Sequence, residues 1–440
     1  MNKLLSWIEK KNAESSALVI CFGLLFVYFI LQSPLYSPDT CSYLKGDIYR
    51  LPGYVIYLNV LEAIFGASYD VVAVGLHLLV GFMGIWIIYK NFVSYFNLKN
   101  IAKLLFLSVL LFPYFPPLLT ANNLTSEGLA YPLYLALISF TLDFLFRNKR
   151  KRIIPLAAVF ILLILTRGQF IVFIPIFIFI MILGMKKHIF KLRNLSLLIL
   201  IISLPFLSGL MDSTYRKINH GFFEKTPFSY VNAISLPLFV SQKTDGDLMS
   251  TQAHKTLFTI TYKKIDNLDL LSSKVEGTAM DKYLLFHDNF PAICNQNIHK
   301  QGRAYFRKHD KTFLKDFILI EKACKEMFPV LLKANFKEWG RLYLTSIIFG
   351  LGSLWVLLLA LIIFVASLFS ILKKYSKETV FLFFATSLIL SNAMITALAT
   401  HSIQRYLFYN YFLGFIVVIL CLRKIYHFYE SRTIRGNAMP

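Results

Sequence analysis

Long apolar runs alternate with short polar clusters rich in lysine and arginine along almost the whole chain. A run of about 20 apolar residues makes a helix that crosses the roughly 30 Å hydrocarbon core of a bilayer. Such runs predict ten spans. Four lie at about 15–33, 69–91, 104–120 and 127–146. "IIPLAAVFILLIL" and "FIVFIPIFIFIMIL" make the fifth and sixth, and the rest lie at about 195–211, 346–372, 379–398 and 405–422. One further apolar stretch, "PGYVIYLNVLEAIF", is too short to span and carries Glu62. It reads as an amphipathic helix lying on the outer face, so the direction of the following spans is unchanged. A first span of full length, with no short apolar region leading to a small-residue cleavage site, reads as a retained helix.

Charge then orients the spans. Short cytoplasmic loops are enriched in Lys and Arg. Lys3, Lys10 and Lys11, Lys90, "RNKRKR", "KKHIFKLR", "KKYSK" and the tail "RKIYHFYESRTIRG" all fall on one side if the short helix does not cross. Both termini are then cytoplasmic, as expected of a bacterial inner-membrane protein. Residues 1–211 form an N-terminal membrane half whose first outer loop is 34–68. Residues 212–340 form a long external loop domain, and 341–440 form the last spans and tail. The long loop is expected to be partly helical, because stretches such as "FLKDFILIEKACKEMF" are amphipathic.

Composition agrees with an all-α polytopic membrane protein. The chain is 57% hydrophobic and 16% aromatic, with a mean hydropathy of +0.60. Lys and Arg number 46 against 24 acidic residues, a formal charge of +22. In a soluble protein that excess would suggest nucleic acid. Here no soluble basic module exists, and the charge marks cytoplasmic flanks and contacts with anionic lipid. Cys21 and Cys421 fall in spans, and Cys41 in the first outer loop. Cys294 and Cys324 fall in the external loop and are candidates for a disulfide in an oxidising compartment.

The outer face gathers polar groups that mere loops do not need. The first loop, "SPLYSPDTCSYLKGDIYRLPGY", holds Asp39, Lys45, Asp47 and Arg50. Glu127 opens the fourth span in "NNLTSEGLAY", Arg167 lies in the turn "LTRGQ", and Arg405 and Tyr406 open the last span. Each arginine alone is explained by snorkelling to headgroup phosphates. Together they suit a lipid-linked phosphate, because a planar guanidinium binds phosphate oxygens in pairs. Asp39, on a loop stiffened by Pro34 and Pro38, is placed to deprotonate a hydroxyl; alone it is also an ordinary solvated aspartate. His77 reads as a neutral packed histidine, and Asp143 as the partner of Arg147 four residues on.

These motifs resemble the membrane-embedded GT-C glycosyltransferases, which include the protein O-mannosyltransferases and the bacterial aminoarabinose and related undecaprenyl-phosphate-sugar transferases. "SPDTCSYL" followed by "RLPGY" is similar to their first-loop aspartate and interfacial helix. "LTSEGLAYPLYLAL" is similar to their outer-loop glutamate, "LILTRGQF" to their "LTRP"-type turn with Gly168 in place of proline, and "QRYLFYNYF" to their late "RY" segment. The likeness covers the order of elements over about 1–185 and 395–422, and not the long loop. It implies an inverting transfer of a sugar from a polyprenyl-phosphate donor to an acceptor hydroxyl of a glycan, lipid or protein on the external face. It also implies Asp39 as catalytic base, Glu127 as a second site carboxylate, and Lys45, Arg50, Arg167, Arg405 and Tyr406 around the donor phosphate. Thr40 follows Asp39 where a second acid would make a metal pair, so chemistry without a divalent metal or other cofactor is favoured.

Two other classes compete. An O-antigen-type polysaccharide polymerase also has many spans, a large outer loop and outward arginines, but needs no carboxylate directly after the first span. A transporter or flippase of a lipid-linked sugar would place charges at the midplane and show internal repeats, and neither is visible.

Overall fold

The computed structural model describes residues 2–147, 149–185 and 188–436. Asn148 of "RNKRKR" and Lys186–Lys187 of "KKHIFKLR" lie outside the described residues, as do the side chains of Lys3, Lys10 and Lys11. The described chain is helical, with a single parallel bridge between Leu35 and Asn123 as its β-type pairing among the described residues. It forms two compact units, 1–168 and 169–440.

The first unit holds α1 (Asn2–Ile30), α2 (Thr40–Leu44), α3 (Pro52–Phe65), α4 (Tyr69–Phe96), α5 (Asn100–Leu111), α6 (Glu127–Arg147) and α7 (Ile153–Thr166). The second holds α8 (Phe173–Met185), α9 (Leu192–His220), α10 (Ser229–Ala233), α11 (Ser235–Phe239), α12 (Gln252–Asn267), α13 (Ala279–Asp288), α14 (Phe290–Ile293), α15 (Lys300–His309), α16 (Lys315–Ala334), α17 (Phe336–Leu351), α18 (Leu354–Lys373), α19 (Lys377–Ala399), α20 (Gln404–Leu407) and α21 (Tyr411–Gly436).

Among the described residues, eight helical stretches are long and apolar enough to cross a membrane. The chain is therefore an integral, polytopic all-α protein. Two of the ten expected spans are too short in the structure to count among these eight. The helix expected at 104–120 runs only through α5 and a turn ending at Tyr114, because Pro113, Pro116 and Pro117 cannot continue its hydrogen bonding. α7 has 14 residues, a length of about 21 Å. The expected span at 346–372 is divided. α17 ends at Gly352, whose φ of +85° reverses the chain. Ser353 then caps α18 by accepting a hydrogen bond from Val356 N at 3.2 Å.

α3 is present where the short helix was expected, and it packs against α4. Gly66, at φ +54°, turns the chain so that α3 runs antiparallel to the start of α4. The Tyr57 hydroxyl donates to Ala73 O at 3.1 Å, and the Tyr54 and Tyr57 rings stack on His77. The end of α1 lies level with Gly75, at Ile30, so this hairpin projects past α1 at one end of the unit. Ile56, Val60 and Ile64 leave its other face apolar and exposed.

Charge segregates to the two ends of the first unit. At the Lys90 end of α4, Asp143 is an almost fully buried hub for Arg147 at 3.1 Å, Arg152 at 3.2 Å and Lys149 at 3.7 Å, and accepts from the Tyr95 hydroxyl at 2.6 Å. Glu14 there pairs with Lys103 at 2.9 Å. The expected Asp143–Arg147 pair is thus part of a larger clamp. Between the ends, α4 and α6 cross closely, Gly84 lying against Pro132.

In the second unit, residues 231–342 build a core of their own around Phe239, Phe258, Tyr283 and Leu331. Cys294 and Cys324 both lie buried in this core and both are free thiols. The expected disulfide is not formed: the Cys294 thiol instead donates to Asn232 Oδ1 at 3.1 Å. Burial pushes it up to about 12.

Candidate functional site

The site lies at the end of the first unit opposite the Asp143 clamp, and two loops build it. The segment after α1 pairs with the segment before α6: Leu35 N donates to Asn122 O at 2.8 Å, and Leu124 N to Leu35 O at 3.0 Å. Asn122 Nδ2 donates to Phe29 O at 2.9 Å, and Thr40 Oγ1 to Leu124 O at 3.0 Å. These bonds join the loop that carries Asp39, just before α2, to the segment that leads into Glu127, at the start of α6. His77 holds the third side. A carbonyl only accepts, so His77 Nδ1 carries a proton and donates to Ala121 O at 2.9 Å. That leaves Nε2 facing the Tyr54 hydroxyl at 3.5 Å. A Cβ on Gly128 would strike the His77 ring at 2.5 Å, so glycine is what lets the ring pack on α6. Gly53 does the same between α3 and α7, where a Cβ would lie 2.8 Å from Leu165 O.

Four of the expected residues meet here. Arg50 Nη2 binds Asp39 Oδ1 at 2.5 Å. Its Nε donates to Ser42 Oγ at 2.7 Å, and its guanidinium lies 4.6 Å from the centre of the Tyr43 ring. Arg167 Nη1 binds Glu127 Oε1 at 2.6 Å. Tyr43 and Ser126 join the two pairs. The Tyr43 hydroxyl donates to Ser126 Oγ at 3.3 Å, and Ser126 Oγ accepts from Arg167 at 3.3 Å and faces Glu127 Oε2 at 3.4 Å.

The two pairs differ in access. The side chains of Glu127 and Arg167 are 2% and 10% exposed, whereas those of Asp39 and Arg50 are 30% and 21% exposed. The Asp39 pair is therefore the open one, and the Glu127 pair the inner support. Burial opposes the Arg50 charge, yet neighbouring Tyr43 and Asp39 hold its pKa above the ordinary value. Burial, helped by a hydrogen bond to Asp47 at 2.8 Å, pushes Tyr49 up to about 12.

Three further expected residues have other surroundings described. Lys45 caps α2 with its backbone and exposes its side chain. Arg405 and Tyr406 belong to the second unit, where Tyr406 O accepts from Gln169 at 3.0 Å and Asn392 at 3.0 Å. Tyr43 and Ser126 were not singled out from the sequence. Their signal was adjacency alone, Ser126 directly preceding Glu127 in "TSEG". Arg216 was also missed. It is almost fully buried at the end of α9, 3.6 Å from Asp212, and donates to Thr226 Oγ1 at 2.8 Å.

Chemically, the site offers two guanidinium groups, two carboxylates and a hydroxyl relay in one small volume. Each carboxylate is committed to an arginine. Among the described residues no group of three or more His, Cys, Asp or Glu side chains converges as metal ligands would. No protein-family model, curated protein or solved structure matches the chain.

Proposed function

We propose that the chain is a membrane glycosyltransferase that moves a sugar from a polyprenyl-phosphate donor to an acceptor hydroxyl on the external face of a bacterial inner membrane. The observation that carries this reading is the meeting of the Asp39–Arg50 and Glu127–Arg167 pairs through Tyr43 and Ser126. A donor phosphate entering at the open pair competes with Asp39 for Arg50, because phosphate offers the guanidinium the same paired oxygens. Arg50 turns to the phosphate and Asp39 is released. A carboxylate bound to a guanidinium is a poor base, and a released one is a better base.

The reaction then balances. The acceptor oxygen attacks the anomeric carbon as the bond from that carbon to the phosphate oxygen breaks. The hydroxyl proton passes to Asp39, and the bonding pair stays on the leaving phosphate. Arg50 stabilises the added negative charge. Glu127 holds Arg167 in place, and Ser126 carries that order to Tyr43. No metal enters these steps.

On the expected map of ten spans with both termini cytoplasmic, in which α5 and α7 would make the two short crossings, this site faces outside. A reporter fused near Asp281 reads external on this map, and a cytoplasmic reading there would overturn it. The activity itself is tested with purified protein in detergent, a polyprenyl-phosphate sugar and candidate acceptors, with and without chelator. Transfer that survives chelation supports the reading. Loss on chelation with rescue by a divalent ion would overturn its metal-independent part, and no transfer with any such donor would overturn the whole.

A further inference from the structure

The second unit contains a cavity of about 630 Å³, within the range of small-molecule sites. It lies among the ends of α17, α18, α19 and α21. Its walls are apolar: Phe349, Leu351, Val356, Ile389 and Leu407. Its polar groups are His287, Asn392, Ser402 and Gln404 among them, and no Lys, Arg, Asp or Glu lines it. Depth along the helices separates the two sets of groups. Ser402 and Gln404 lie in and next to the turn between α19 and α20, and His287 comes from the segment that projects from the same end. Ile389 lies about 15 Å down α19 from Ala399. Three of the four bounding helices are long and apolar enough to cross a membrane, so the apolar end of the cavity lies at hydrocarbon depth.

Most polar groups here already have partners. Asn392 accepts from Gln169 and donates to Tyr406 O. Ser402 Oγ lies 3.0 Å from Ser346 Oγ. His287 differs. Its half-buried ring is held between Phe349, at 4.8 Å, and His401, at 5.0 Å, and makes no hydrogen bond among the described residues. A ring nitrogen on a histidine that lines a cavity is open to a ligand hydroxyl.

We propose that this cavity binds a lipid with a hydrocarbon chain and an uncharged, hydroxyl-bearing head, the chain lying along Ile389 and Leu407 and a head hydroxyl meeting His287. A phosphate-bearing head is disfavoured, because desolvating its charge among neutral side chains has no compensating cation in the lining. The residues lining the cavity all belong to the second unit and include none of the ion-pair residues, and occupancy requires no sugar transfer. A failure here therefore leaves the proposed activity standing, and the reverse also holds.

The test uses the full-length purified protein and a monoacylglycerol carrying a photoactivatable diazirine in its chain. Labelled peptides are expected from 349–356 and 402–414. Unlabelled monoacylglycerol should compete at least tenfold better than the lysophosphatidate of the same chain. His287→Phe keeps the ring stacking and removes both nitrogens. It should weaken monoacylglycerol competition about tenfold, as the loss of one hydrogen bond to a buried partner predicts, and leave competition by a headless hydrocarbon unchanged. Labelling spread evenly over the lipid-facing helices would overturn the proposal, as would lysophosphatidate competing better. The comparison of the two lipids on wild-type protein stands even if the variant does not fold.

Discussion

Glu127, which opens α6, and Arg167, which follows the end of α7, meet at 2.6 Å in an ion pair that is almost wholly removed from solvent. Ser126 Oγ lies 3.3 Å from the same guanidinium. Removing one partner of such a pair leaves the other charge buried and uncompensated, which destabilises by about 3–5 kcal/mol. Glu127→Gln and Arg167→Gln should therefore each lower the thermal midpoint in detergent clearly. The double variant should recover part of the loss, giving a coupling well above the noise of a double-mutant cycle. Additive losses would show that the pair does not support the site.

The pair also marks what the sequence could and could not tell. Asp39, Arg50, Glu127 and Arg167 stood out because charged groups beside apolar spans are costly and few. Their meeting was not legible, because it depends on bonds between the 35 and 123 segments that carry no pattern. The packing of α3 on α4 was not legible for a similar reason, because it depends on the turn at Gly66, where φ is positive, and on the Tyr54 and Tyr57 contacts with His77. The break at Gly352 fell inside a continuous apolar run, where hydropathy averaging hides a single reversing glycine. Tyr43 and Ser126 carry no charge, and only coordinates reveal them as the link.

Gly53 tests the packing that positions the first loop. A Cβ there would lie 2.7 Å from Thr166 Oγ1 and 2.8 Å from Leu165 O, and backbone cannot yield as a side-chain tip can. Gly53→Ala should push α3 from α7 and destabilise by about 1–3 kcal/mol, as overpacking does. Gly340, inside α17, faces open space. Gly340→Ala should leave stability unchanged or raise it by up to about 1 kcal/mol. Equal midpoints for the two variants would contradict the close approach of α3 to α7.

Cys294 and Cys324 are buried free thiols. Denatured protein treated with an alkylating reagent and no reductant should carry modification at both residues, read by peptide mass. If modification appears only after reduction, the two are bonded and the account of this core is wrong.

His401 stacks on Phe290 at 4.3 Å beside His287. Burial, with His287 nearby, lowers its pKa from 6.5 to about 4. The unfolded chain therefore takes up a proton between those values that the folded chain refuses. Its contribution to stability is complete above pH 6.5 and is lost as pH falls toward 4. The thermal midpoint should drop across that window, and more steeply for wild type than for His401→Gln. Equal slopes would show that His401 titrates normally in the folded protein.

The central claim is that the open ion pair holds the base. Asp39→Asn keeps the size of the side chain and most of its hydrogen bonding with Arg50, and removes its basicity. The decisive measurement is the rate of sugar transfer from a polyprenyl-phosphate donor by purified Asp39→Asn, beside wild type and Asp47→Asn. The expected result is protein that accumulates normally with transfer reduced about 10²–10⁴-fold, the usual share of a general base, while Asp47→Asn stays near wild type. Near-normal transfer by Asp39→Asn would contradict the account.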